Sequence, residues 1–355
     1  MRTFAEILRA YWAEVPLYAY SALCGALCLM LWASHGVVYD HNETRLSFTT
    51  FYVSALIMFF IDIVWRLCRD RPARPLQWAQ ERYFSLPAAR AVLCGLPAMA
   101  ICVSMIPLFS SLKSMIPMFT AYDWDEFFIA ADRALFFGLD GWQVLQPVFG
   151  FPVVTAALAA LYHLWVLLLY PGCIFLAFYK SVSPQLRRRF FLSYALSWSV
   201  MGALMATLLA SVGPVFAEPL VGLDTFREQM DYLRAAHAQI PVMTVPVQDM
   251  LLERFHADDR GLGSGITAMP SMHVAIAALF WLAMREHSER AGRLFFWFLV
   301  VIWIGSVHLA YHYAVDGLVS VIVVYAIWRL SEAIFALWDR VPTPSPDPDR
   351  PLAES

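Results

Sequence analysis

LFFWFLVVIWIGSVHLAYHYAVDGLVSVIVVYAIWRLSEAIFAL, residues 294–337, is two apolar runs (294–312 and 317–337) parted only by a short polar segment holding His312 and Asp316. Each run is close to the ~20 mostly apolar residues that carry a helix across the hydrocarbon of a bilayer. Arg329 and Glu332 interrupt the second run, but their i,i+3 spacing lets them neutralise one another near an interface. The stretch therefore reads as a membrane hairpin with two ionisable side chains at its tip.

Outward from that hairpin the same pattern recurs. Further runs fall at roughly 16–37, 49–67, 86–111, 152–178, 190–212 and 267–284, which makes eight expected spans. Composition agrees: 60% of the 355 residues are hydrophobic and only 15% charged, far from a soluble domain. The expected fold class is thus all-α, a polytopic membrane helix bundle. A net charge of −3 with no basic patch argues against a nucleic-acid partner, leaving the bilayer and its lipids. The first run has no small-residue cleavage site and reads as a retained helix. The six cysteines lie in or beside apolar runs and show no paired metal-ligand spacing. The chain divides into two N-terminal spans with a loop (1–85), a six-helix core (86–338) and a Pro- and Asp-rich tail (339–355) expected to be disordered.

Cations orient the bundle. Arg66, Arg69, Arg71, Arg74 and Arg82, then Lys180 and Arg187–Arg188–Arg189, then Arg285, Arg290 and Arg293 fall in alternate connections. By the positive-inside rule those loops and both termini are cytoplasmic. The long connections 112–151 and 213–266 then face outward. In the first, Asp123, Asp125, Glu126 and Asp132 alternate with apolar residues at helical spacing, which suits a helix lying in the interface with a solvated acidic face.

Two polar segments fall at the outer ends of spans: Ala268-Met-Pro-Ser-Met-His273 and Gly305-Ser-Val-His-Leu-Ala-Tyr-His-Tyr-Ala-Val-Asp316. Ionisable groups there are costly unless they are solvated, paired or used. His312 and Asp316 are i,i+4, so on one helical turn the carboxylate fixes the imidazole tautomer and leaves the other nitrogen nucleophilic. His273, on a neighbouring helix, can protonate a leaving oxygen. Ser271 and the first free amides of its helix can hold phosphate oxygens. Together these residue types suit phosphoryl transfer.

Residues 265–273 (Gly-Ile-Thr-Ala-Met-Pro-Ser-Met-His) and 305–317 (Gly-Ser-Val-His-Leu-Ala-Tyr-His-Tyr-Ala-Val-Asp-Gly) resemble the second and third signature motifs of the phosphatidic acid phosphatase type 2 superfamily. The closer resemblance is to its inositol phosphorylceramide synthase-like branch. It implies a six-helix core over roughly 86–338, His312 as the nucleophile that forms a phosphohistidine, Asp316 as its orienter and His273 as acid. It implies no metal and no cofactor. A lipid phosphate phosphatase is the alternative activity within the same resemblance.

The chain departs from the family pattern in two places. The first motif, a Lys and an Arg before a Pro, is absent, and Val307 stands where the third motif usually has Arg. Lys113 and Arg133 in the first outer connection are the candidate phosphate-binding cations, with Arg227 behind them. His308, one turn before His312, is expected to share a face with His312 and Asp316 and is a candidate binding partner; a metal held by the three is the less favoured reading. His163, in mid-span, reads as an interhelical hydrogen-bond donor, and Asp62 with Arg66 as a local ion pair. A transporter is disfavoured, because no inverted repeat or pair of broken midplane helices is visible.

Overall fold

The computed structural model describes residues 2–37, 41–257 and 265–343. Arg260 and the tail beyond 343, where disorder was expected, lie outside the described residues. Within them the chain is helical and contains no strand. A short helix, Arg2–Ala13, leads into α1 (Val15–His35) and α2 (His41–Asp70), and the chain continues through α3 (Leu86–Ser114). The first long connection holds α4 (Asp125–Leu135), ahead of α5 (Pro152–Phe178). α6 (Pro184–Leu196) runs on into a π-helical stretch, Ser197–Met205. α7 (Pro214–Val221), α8 (Arg227–Gln239) and α9 (Thr244–His256) form the second connection. α10 (Met272–His287), α11 (Glu289–His308) and α12 (Ala314–Trp338) complete the bundle.

Several helices begin where the sequence supplies a start signal. Pro occupies the first turn of α3, α5, α6 and α7, where an N–H would have no intrahelical partner. Ser183 caps α6, its Oγ accepting the Leu186 N–H at 3.1 Å.

Among the described residues seven helices, not eight, are long and apolar enough to cross a membrane: Val15–His35, Thr44–Asp70, Leu86–Ser114, Pro152–Phe178, Pro184–Leu208, Glu289–His308 and Ala314–Trp338. The difference is the run expected at 267–284. Its first residues form an irregular segment, and α10 has only 16 residues, about 24 Å at 1.5 Å per residue. α10 is packed by α5, α6, α11 and α12, and Val274 to Leu279 are essentially inaccessible. A helix enclosed by protein need not match the thickness of the lipid. Its Ala275, Ala277 and Ala278 keep the neighbouring helices close.

Ion pairs gather at one end of the bundle. Arg66 pairs with Asp62 at 2.9 Å, as the spacing suggested, and Tyr83 and Tyr179 also donate to that carboxylate. Arg329 meets Glu332 at 3.0 Å. Arg189 bridges Glu286 and Glu332, and Arg187 reaches the buried Glu14, tying the N-terminal segment to α6. The two polar motifs lie at the opposite end.

Candidate active site

α11 ends at His308 and α12 begins at Ala314, so residues 309–313 form a non-helical loop. Ala310 takes a left-handed φ of 63°, uncommon for a residue with a Cβ. His312 and Asp316 consequently do not share a helical turn. His312 sits in the loop just before α12, while Asp316 lies in the first turn of that helix. Asp316 Oδ2 accepts from the Tyr313 N–H at 3.1 Å and lies 3.2 Å from His312 Nδ1. One carboxylate thus caps the helix and orients the ring. Because a carboxylate accepts, Nδ1 carries the proton and Nε2 keeps its lone pair.

His273 enters from the first turn of α10. Ser271 caps this helix, its Oγ directed to the Val274 N–H at 3.5 Å and its carbonyl accepting from Ala275 and from Ser320 Oγ. The His273 ring stacks on Tyr162 with 4.5 Å between centroids, and Trp165 lies 4.4 Å from it on the same helix, α5. Tyr162 in turn stacks on Tyr311. The amides of Met272 and His273 have no partner among the described residues, so the start of α10 offers free donors and the positive end of its dipole to an anion.

These groups meet in a cavity of about 440 Å³ between α3, α5, the π-helical stretch, α9 and the two motif loops. Lys113, His163, His273 and His312 supply its basic side chains, and most of the remaining wall is apolar or aromatic. Lys113 forms no ion pair among the described residues; its ammonium lies 6.0 Å from the Phe109 ring. Val166 and Met250, both exposed, carry the lining to the protein surface.

Two carboxylates brace the site. The acidic residues of α4 were expected on a solvated face, yet Asp125 and Asp132 are only 2% and 4% exposed. Seven residues apart, they lie on one side of the helix two turns from each other. Asp125 accepts from the Val212 and Gly213 N–H groups and from the Tyr313 hydroxyl at 2.7 Å. Asp132 accepts from the Ala314 and Val315 N–H groups, both at 2.8 Å, which are orphan donors of the first turn of α12. Burial outweighs these donors and pushes the Asp132 carboxyl up to about 6. From the second connection, Gln229 donates to the Val307 and His308 carbonyls and Gln248 to the Leu309 carbonyl. Gly213, at φ +81°, passes so close that a Cβ there would lie 2.7 Å from the Tyr311 carbonyl oxygen.

Several expected site residues stand elsewhere. Arg133 is engaged by Asp140 at 2.7 Å and does not line the cavity. Arg227 pairs with Glu218 beside a separate surface cleft. The Ser271 hydroxyl is a cap directed into its own helix. His308 is buried, with Nε2 2.9 Å from Thr155 Oγ1; because α11 stops there, it does not share a face with His312. His163 donates to the Ala159 carbonyl of its own helix at 2.8 Å rather than to a neighbouring one, and it lines the cavity. The bracing roles of Asp125, Asp132, Gln229 and Gln248 are not visible in the sequence because their partners are 61 to 188 residues away.

The family model described as the PAP2 superfamily matches residues 126–330. The chain belongs to the PAP2 superfamily. Membership supports a function of the lipid phosphatase or phosphotransferase kind. No curated protein and no solved structure matches the chain. The matched PAP2 region contains His273, His312, Asp316 and Asp132, whereas Lys113 and Asp125 precede it.

Proposed function

We propose that this PAP2 superfamily protein is a membrane-embedded lipid phosphotransferase that works through a phosphohistidine on His312, in the manner of inositol phosphorylceramide synthase. The observation that carries this reading is the meeting of Lys113, His273 and His312 in one largely apolar cavity, with Asp316 behind His312. His312 Nε2 attacks the phosphorus of a donor lipid, and the bond to the leaving oxygen breaks as His273 gives that oxygen a proton. Lys113 and the free amides at the start of α10 hold the remaining phosphate oxygens. A second alcohol then attacks the phosphohistidine and passes its proton to His273, which restores both histidines. The apolar wall and the exposed rim at Val166 suit entry of acyl chains from the bilayer.

Transfer is favoured over hydrolysis because Lys113 is the sole Lys or Arg among the described residues lining the cavity. One such cation matches a phosphodiester monoanion better than a phosphomonoester dianion. Phe216 of α7 and Val247, Met250 and Leu251 of α9 line one side of the cavity with apolar groups, which also suits exclusion of water. The test supplies the protein in lipid with phosphorus-radiolabelled phosphatidylinositol or phosphatidylcholine, with and without ceramide or a diacylglycerol whose chain length differs from the donor's, and with labelled phosphatidic acid in parallel. The expected result is label in a new lipid, dependent on acceptor and faster than any release of inorganic phosphate. Rapid phosphate release from phosphatidic acid, unaffected by acceptor, establishes the phosphatase instead.

A further inference from the structure

His163 is a third histidine in the cavity, and the reaction described above does not use it. It sits within a membrane-spanning helix, where a side chain with a polar ring is expensive unless it has partners. One ring nitrogen is satisfied: Nδ1 lies 2.8 Å from the Ala159 carbonyl oxygen. A carbonyl only accepts, so Nδ1 bears the proton and the neutral ring presents Nε2 as an acceptor. No described residue donates to Nε2. The ring lines the same cavity as His273, His312 and Lys113, on the α5 face that also contributes Tyr162, Trp165 and Val166. Val166 is half exposed and carries the cavity lining to the protein surface.

We infer that His163 is the acceptor-specificity residue: its Nε2 takes a hydrogen bond from a second hydroxyl or amide N–H of the acceptor lipid, next to the hydroxyl that attacks phosphorus. The assignment rests on the phosphohistidine reading and extends it to the acceptor, which is then an alcohol with more than one donor near its reacting oxygen. His163 exchanges no proton with the reacting atoms. The O–P bond forms, the His312 N–P bond breaks and the proton goes to His273, while His163 only holds the acceptor in register. Sites built to hydrogen-bond a substrate group reject analogues that lack it, because the buried partner is left unpaired.

The experiment compares two acceptors in full-length protein reconstituted in lipid: ceramide, with two hydroxyls and an amide N–H, and a diacylglycerol of chain length distinct from the donor's, with one hydroxyl. The donor is a phosphorus-radiolabelled phosphodiester lipid, and label on His312 is quantified separately in a quench without acceptor. The wild type should prefer ceramide. His163→Leu should lower kcat/KM for ceramide about tenfold or more, mainly through KM, while leaving transfer to diacylglycerol and labelling of His312 unchanged. His163→Gln, which keeps an acceptor atom, should restore part of the preference, and it carries the test if the leucine variant does not fold. An unchanged ceramide preference in both variants overturns the assignment, as does loss of His312 labelling in a folded His163 variant. Absence of label on wild-type His312 instead defeats the underlying phosphohistidine reading.

Discussion

Among the described residues no carboxylate meets the Lys113 ammonium in the cavity, and a charge without a partner in apolar surroundings is costly. A bound phosphate removes that cost. Replacing Lys113 with Met should therefore reduce kcat/KM by about 10²–10³-fold, the range for loss of one donor to a developing anion. Lys113→Arg should recover part of it in the same lipid-transfer assay, and a Met variant with wild-type turnover would remove Lys113 from the site. The sequence named both Lys113 and Arg133 as candidates and offered no means of choosing between them. What separates them is a turn. Phe137 and Gly138 both adopt positive φ, the Gly138 N–H returns to the Arg133 carbonyl, and Asp140 is brought onto the guanidinium. Local chain reversal of this kind is not visible in residue spacing. The pairing of His312 with Asp316 was legible because it is local in sequence, although the geometry that joins them is a helix cap rather than a turn within a helix.

Among the elements, α4 diverges furthest from its sequence. Its amphipathic spacing was plain, but Asp125 and Asp132 face inward with Phe128 and Ile129, since the N–H groups that the two carboxylates receive belong to segments far along the chain. α10 differs for a related reason: its hydrophobic run suggested a span, whereas a central helix enclosed by neighbours can be short. Asp132 gives the brace a measurable signature. Its carboxyl titrates near 6 in the folded protein, above the ordinary value of 3.8, so the native state holds the proton more tightly than the unfolded chain. The stability this contributes is complete below about pH 4 and is lost as pH rises through about 6. Asp132→Asn should flatten the pH dependence of the unfolding midpoint across that window and lower turnover by loosening the start of α12, whereas Asn at the exposed Asp123 should do neither. An Asp132→Asn variant with the wild-type slope and wild-type turnover contradicts this role.

Across the whole molecule, charge and chemistry occupy opposite ends: arginine-rich connections and their ion pairs at one, the cavity and its cover at the other. Seven span-length helices and the enclosed α10 make eight passes between those ends, which returns the two ends of the bundle to the arginine-rich side. The cation distribution made this axis legible without coordinates, because topology depends on loop charge rather than on packing. With the six native cysteines removed, a cysteine at Asp231 should react with an impermeant thiol reagent in intact cells, whereas one at Leu76 should react only after permeabilisation. The reverse pattern would turn the site to the cytoplasmic face. The phosphohistidine proposed on His312 is a covalent bond, and it can be detected as such. Reconstituted protein is exposed briefly to phosphorus-labelled donor lipid without acceptor, quenched in alkali, digested and sequenced by mass spectrometry. The expected result is an acid-labile, alkali-stable phosphoryl adduct on His312, lost in His312→Ala and chased by added acceptor. Turnover at the wild-type rate in His312→Ala, or an adduct on a different residue, would contradict it.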